Sequence, residues 1–278
     1  MINTMVIKVT NQCNWDCSYC DNVDSQNVEL DKLIECINSL QSLNPYITIS
    51  LSGGEPGMLS EKYLEQVFKH INNPCEIATN GTFFEKDYHN LFKSKLKEFW
   101  YHVTPEINDD NTIYDNIETD LPIQYIFVIH NRNINQVIPF IQRNSHIQFS
   151  PRFYIGADQN YVLTQSRIAT LYYEGICDMN IIDDYKERIK YFSNIDNYNN
   201  IIKAQEYCNT ISYMPRLDLI KEKIFRCCAG LSNTIDNITF NKINLRLLIK
   251  NDLFTHKNKT NIICSSCYNG AWNCRSKI

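Results

Sequence analysis

The sequence predicts an α/β fold: six parallel βα units, then a small hairpin-and-helix region rich in cysteine. Three observations predict it. Short β-branched or aromatic runs alternate with stretches of helical period through the first 155 residues. A cysteine loop follows the first of these runs and a Gly-Gly-Glu-Pro turn follows the second. Of 12 cysteines, six fall at 208–274.

Strands are expected near 5–10, 46–52, 75–79, 98–104, 123–130 and 146–154. Between them Leu30, Leu33, Ile34, Ile37 and Leu40 repeat at three and four, as do Leu64, Val67, Phe68 and Ile71, and Ile134, Val137, Ile138 and Ile141. Six units are too few for a closed eight-unit barrel. In folds of this kind ligands bind beyond the C-terminal strand ends, which is where the cysteine loop falls. Residues 156–206 read as helical with a polar face, and Asn194–Asn200 is the linker candidate.

Composition narrows the function classes. The 278 residues are 44% hydrophobic and 21% charged, enough for a full core. A net charge of −4 without a basic stripe argues against a nucleic-acid partner. No apolar run is long enough for a membrane span, and the N-terminus lacks a signal-peptide pattern, so a cytoplasmic location is expected. Twelve cysteines in such a chain point to metal or redox chemistry. Cys13, Cys17 and Cys20 form one group and the six at 208–274 another, so two sites are implied.

The first group is Cys13-Asn-Trp-Asp-Cys17-Ser-Tyr-Cys20. Iron–sulfur clusters are normally held by four cysteines, so a three-cysteine loop leaves one iron with an open position. Packed thiols or a zinc site are the alternatives, but zinc loops pair C-x2-C with a second pair, and none follows Cys20 closely. After the second strand, Gly53 and Gly54 let the backbone approach a ligand closely, Glu55 suits an ammonium group and Pro56 stiffens the turn.

Together, C-x3-C-x-aromatic-C with Tyr19 as the aromatic and Gly-Gly-Glu-Pro one βα unit later resemble the radical SAM superfamily. The resemblance implies a partial (β/α)6 TIM-like barrel over 1–195, open on one side to admit substrate. It implies a [4Fe-4S] cluster on Cys13, Cys17 and Cys20, with S-adenosylmethionine chelating the unique iron. One electron, from an external donor of flavodoxin or ferredoxin type, then cleaves the cofactor to a 5′-deoxyadenosyl radical that abstracts hydrogen from substrate. Gly53, Gly54, Glu55 and Pro56 match the motif that binds the cofactor's amino group. Asn80, in Thr79-Asn80-Gly81, is either a cofactor residue or part of an Asn-Gly turn. Thr104 keeps the hydroxyl that relatives carry after strand four, although Pro105 and Glu106 depart from their pattern. Arg152, at the end of strand six, would clamp the cofactor carboxylate or an acidic substrate group, or be salt-bridged. His102 and His130 lie at strand ends that could face the cavity, although lone histidines in strands are usually structural.

In the second group, residues 211–226 read as a β-hairpin whose last strand brings Cys227 and Cys228 beside Cys208. Cys264 and Cys267 complete a four-thiolate set. This layout resembles the twitch half of the SPASM family over 205–278, which implies one auxiliary [4Fe-4S] cluster on Cys208, Cys227, Cys264 and Cys267. The alternative is a zinc ribbon. Lys-Glu stands where relatives carry Asp-Gly in the hairpin turn. Cys228 and Cys274 are then spare; in similar peptide epimerases a cysteine of such a Cys-Cys pair returns a hydrogen atom to the substrate radical. The resemblance therefore implies modification of a ribosomally made peptide, by epimerisation or cross-linking, although no peptide-recognition domain is expected ahead of the first strand. The alternatives are radical dehydrogenation or rearrangement of a small molecule such as an aminocyclitol, sugar or nucleoside, and a non-catalytic iron–sulfur or zinc module.

Overall fold

A computed structural model describes residues 4–20, 24–104, 117–144, 147, 149–153, 160, 161, 163, 167, 171, 216–225, 238, 239 and 241–249. The chain opens on Thr4-Met-Val-Ile-Lys-Val-Thr10, a run of β-branched residues that forms strand β1 (Thr4–Thr10), buried on both faces. Five more parallel strands follow at β2 (Thr48–Gly53), β3 (Cys75–Thr79), β4 (Leu96–His102), β5 (Ile123–Ile129) and β6 (Phe149–Phe153). All six expected strands are present, with no end moved by more than three residues. Helices α1 (Leu30–Leu43), α2 (Glu61–His70) and α5 (Ile134–Arg143) occupy the segments of helical period.

Met5, Ile7 and Val9 of β1, Ile49 and Leu51 of β2 and Ile77 of β3 share one core with Leu33, Ile37 and Leu40 of α1 and Leu64, Val67 and Phe68 of α2. Strand side chains alternate between faces, so Lys8, Ser50 and Glu76 point to the other side of the sheet, where they are also buried. The α2 N-terminus is capped by Ser60, whose hydroxyl accepts from the Tyr63 N–H at 3.3 Å.

Two features differ from the expected plan. The β3–β4 connection has no long helix; it holds two single turns, α3 (Thr82–Glu85) and α4 (Tyr88–Leu91), separated by Asp87 at φ 59°. Aromatic rings fill that space instead: Phe92 stacks on Phe68 at 4.4 Å and Phe84 meets Phe99 edge-on at 4.8 Å. The expected hairpin is present as β7 (Arg216–Asp218) and β8 (Lys223–Phe225), but it does not stand apart from the barrel sheet. β7 pairs parallel with β1, and β9 (Ile238–Thr239) pairs with β8, giving the order β6-β5-β4-β3-β2-β1-β7-β8-β9.

The hairpin thus covers the edge of β1 that would otherwise expose a row of unpaired backbone groups. In this register Lys8 lies opposite Asp218, and their charges meet at 3.8 Å with both side chains buried. The turn is closed by the Lys221 N–H on Asp218 Oδ1 at 2.9 Å, and Glu222 takes φ 53° there and pairs with Lys32 of α1 at 2.5 Å. Helix α6 (Lys242–Ile249) contacts α1. The sheet is open, with β6 and β9 as its edges among the described residues. Among those residues no helix is long and apolar enough to cross a membrane.

Candidate active site

The end of β1 and the end of β2 are stitched together by backbone bonds. Gly54 N–H donates to Thr10 O at 2.7 Å and Glu55 N–H to Gln12 O at 2.6 Å. Such close approach requires glycine. Gly53 has φ 140°, and a Cβ built on Gly54 would overlap the Gln12 carbonyl. From the other side residues 24–28 fold back along the start of the loop, Asn11 N–H donating to Gln26 O at 2.8 Å and Val28 N–H to Val9 O at 3.0 Å. The cysteine loop therefore leaves a strand end that is held on both flanks.

None of Cys13, Cys17 and Cys20 is in a disulfide; the first two are half-buried and Cys20 is exposed. Burial pushes the Cys13 thiol up from its ordinary value, while N–H donors from Trp15 and Asn80 pull the other way. Cys36 and Cys75 sit in the apolar core, where burial pushes both thiols far up, and they are packing residues. Among the described residues no three His, Cys, Asp or Glu side chains already converge as a metal set. The Cys13–Cys20 loop carries neither strand nor helix.

Glu55 is fully buried and turned inward. Oε1 accepts from Gly57 N–H at 2.7 Å and from the Thr79 hydroxyl at 2.8 Å, and Oε2 accepts from Asn80 N–H at 2.6 Å. Its carboxylate thus ties the Gly-Gly-Glu-Pro turn to the end of β3 rather than standing open toward a ligand. Burial pushes its acid up to about 7, with the three donors opposing that shift. Pro56 opens the 3-10 turn Pro56–Met58, whose Gly57 carbonyl takes the Lys86 ammonium at 2.6 Å.

At the end of β5, His130 is buried against Tyr19, with ring centroids 5.3 Å apart, and meets Tyr161 edge-on at 5.0 Å. Its Nδ1 accepts from Arg132 N–H at 3.2 Å, so the ring proton is assigned to Nε2. Burial, helped by the Arg132 charge, lowers its acid to about 4. Of the two readings open for this histidine, the ring contact with Tyr19 sets it beside the cysteine loop. Thr104 is buried just after β4, and Arg152 lies on β6 with only its backbone described. Cys208, Cys227, Cys228, Cys264, Cys267 and Cys274 lie outside the described residues. The loop's contacts with Asn14 and Thr82 escaped the sequence reading; their one signal is position, Asn14 beside Cys13 and Thr82 two residues after Asn80.

Residues 7–131 match the sequence profile of the radical SAM superfamily, spanning β1 to the end of β5. This segment is similar to a radical SAM domain. Among curated proteins, uncharacterized protein MJ0907 of Methanocaldococcus jannaschii is 26% identical over 164 residues, 54% of this chain and 56% of that protein. The match therefore spans just over half of that relative. Among solved structures, native anSMEcpe with bound AdoMet aligns over 96% of this chain and 83% of its own, at TM-score 0.57 and 12% identity. Streptococcus suis SuiB bound to precursor peptide SuiA aligns over 100% of this chain and 73% of its own, at TM-score 0.55 and 14% identity. These likenesses show the fold, a parallel α/β sheet of partial-barrel type. Within the matched segment, Gly54 and Glu55 bond to Thr10 and Gln12, immediately ahead of the Cys13–Cys20 loop.

Proposed function

We propose that this chain uses a [4Fe-4S] cluster and S-adenosylmethionine to abstract a hydrogen atom from a ribosomally made peptide. The observation that carries the reading is the cysteine loop held against Gly53–Glu55, three thiols on one short segment beside a strand end stripped of side chains. The donor set fits the group. Cys13, Cys17 and Cys20 would hold the cluster, and three thiolates leave one iron for the sulfonium cofactor. Bound together, cluster and cofactor supply one-electron cleavage of a carbon–sulfur bond and, from it, hydrogen-atom abstraction.

The chain's own residues position and enclose. Gly53 and Gly54 keep the β2 end close to the loop, and Glu55 fixes the adjoining turn through Thr79 and Asn80. Tyr19 and His130 form an aromatic wall that excludes water from that side of the loop. Thr104 and Arg152 are assigned to the cofactor's carboxylate or ribose, at the ends of β4 and β6. The peptide assignment is supported by similar structures whose titles name a bound peptide, Cp18Cys for anSMEcpe and SuiA for SuiB. An auxiliary [4Fe-4S] cluster on Cys208, Cys227, Cys264 and Cys267, and Cys228 as hydrogen-atom donor, complete the proposal from the sequence.

Reduced anaerobically by an external one-electron donor, the reconstituted chain is expected to convert S-adenosylmethionine to 5′-deoxyadenosine, and Cys17→Ala to abolish this. Unchanged cleavage in that variant would refute the loop assignment. About eight irons per chain fit two cubanes, whereas about four irons with one zinc remove the auxiliary cluster. Solvent deuterium at a peptide Cα that is lost in Cys228→Ala supports the donor role; turnover confined to small molecules removes the peptide assignment.

A further inference from the structure

We propose that Asn80 is a positioning residue for the cluster, its side-chain amide donating an N–H to the Cys13 sulfur and thereby raising the cluster's reduction potential. The inference rests on the cluster assignment above and goes beyond it. The Thr-Asn-Gly pattern fits either a cofactor contact or an Asn-Gly turn, and the hydrogen bonds of the Asn80 side chain run within the protein. Its Nδ2 donates to Asn14 Oδ1 at 2.9 Å and lies 3.7 Å from Cys13 Sγ, within reach of a hydrogen bond to sulfur. Its Oδ1 accepts from Thr82 N–H at 3.2 Å and lies 2.9 Å from the Thr82 hydroxyl. A primary amide has two N–H donors and one carbonyl oxygen, so this side chain is saturated. The orientation is fixed as well, because a flipped amide would set its NH2 against the Thr82 N–H.

The surroundings hold the amide in place. Asn80 is 8% exposed, and its own backbone N–H is held by Glu55 Oε2 at 2.6 Å. Asn14, next to Cys13 in the loop, donates in turn to the Thr82 hydroxyl at 3.0 Å. The three residues Asn14, Asn80 and Thr82 thus join the cysteine loop to the turn after β3, and Cys13 also receives Trp15 N–H at 3.4 Å. Reduction of an iron–sulfur cluster adds negative charge that the ligand sulfurs share. An N–H directed at one of those sulfurs stabilises the reduced form more than the oxidised one, so the potential becomes less negative.

The test is an EPR-monitored redox titration of the anaerobically reconstituted full chain and of Asn80→Ala and Asn80→Asp. The aspartate keeps an oxygen for Thr82 while removing the amide donor. Both variants are expected to have a more negative midpoint. A tenfold fall in the ratio of reduced to oxidised cluster at a given potential is a shift of about 59 mV for a one-electron couple. Identical midpoints in parent and both variants, with an EPR signal that still responds to S-adenosylmethionine, overturn the inference. A parent chain with no such responsive signal refutes the cluster assignment instead, so the two failures are distinguishable. If the variants do not take up iron, the parent labelled with 15N-asparagine decides. A nitrogen coupling on its reduced cluster in pulsed EPR supports the donor, and its absence overturns it.

Discussion

Glu55→Gln tests whether the buried carboxylate that ties the β2 turn to the β3 end is protonated in the folded chain. In the fold its acid is raised from 4.5 to about 7, chiefly by burial. Folding therefore holds a proton that the unfolded chain gives up between those values. The contribution to stability is complete below pH 4.5 and is lost as the pH rises through 7, and the whole displacement corresponds to about 3 kcal/mol. Glutamine cannot titrate, so this pH dependence vanishes. Its NH2 must also face the Asn80 N–H or the Gly57 N–H, a donor against a donor, at a further cost of about 1–3 kcal/mol that does not vary with pH. The assay is urea unfolding of the parent and variant at half-unit steps from pH 4.5 to 8, with reductant and chelator present. The parent-minus-variant stability difference is expected to shrink by about 3 kcal/mol across that range. A difference that stays constant with pH would show that Glu55 is ionised in the fold and refute the reasoning.

Three further outcomes are expected. His130 has the opposite slope, because its folded acid lies at about 4, below the 6.5 of the unfolded ring, so its stability contribution is present above pH 6.5 and lost as the pH falls toward 4. His130→Phe keeps a ring against Tyr19 and should make the chain relatively more stable at pH 5 than at pH 7, read in the same urea series; an unchanged pH profile counts against it. Gly54→Ala drives a Cβ into the Gln12 carbonyl and should displace the cysteine loop, so the variant folds by circular dichroism but takes up far less iron; parental iron content would show that the contact is not needed. Asp218→Asn leaves the buried Lys8 ammonium without its facing charge and should cost about 3 kcal/mol, seen as a lower urea midpoint with unchanged slope; a parental midpoint would mean that the pair contributes nothing to stability.

What was legible in the sequence is what local spacing encodes. Helices α1, α2 and α5 and the six parallel strands announced themselves by period, because burial of one helical stripe or one strand face leaves a regular mark on the chain. The α3–α4 connection left no such mark, since its aromatic residues pack as a cluster without repeat. In the site, Cys13, Cys17 and Cys20 and the glycines at 53 and 54 could be picked out because each group lies within a few residues of chain, where spacing alone is the signal. The inward turn of Glu55 could not be seen, because the partners that decide it, Thr79 and Asn80, are 24 and 25 residues away.

The sequence by itself determined the spacing of Cys13, Cys17 and Cys20, the two glycines at 53 and 54 and the order of parallel units, all properties of neighbours in the chain. Only the tertiary structure decided that Asn80 is committed to Cys13 and Asn14, that His130 backs Tyr19, and that the β7–β8 hairpin completes the edge of β1. The reason is physical. A side chain's partner is chosen by whichever donor, acceptor or ring the packed sheet brings within a few ångströms, and that choice depends on strands meeting across long sequence separations.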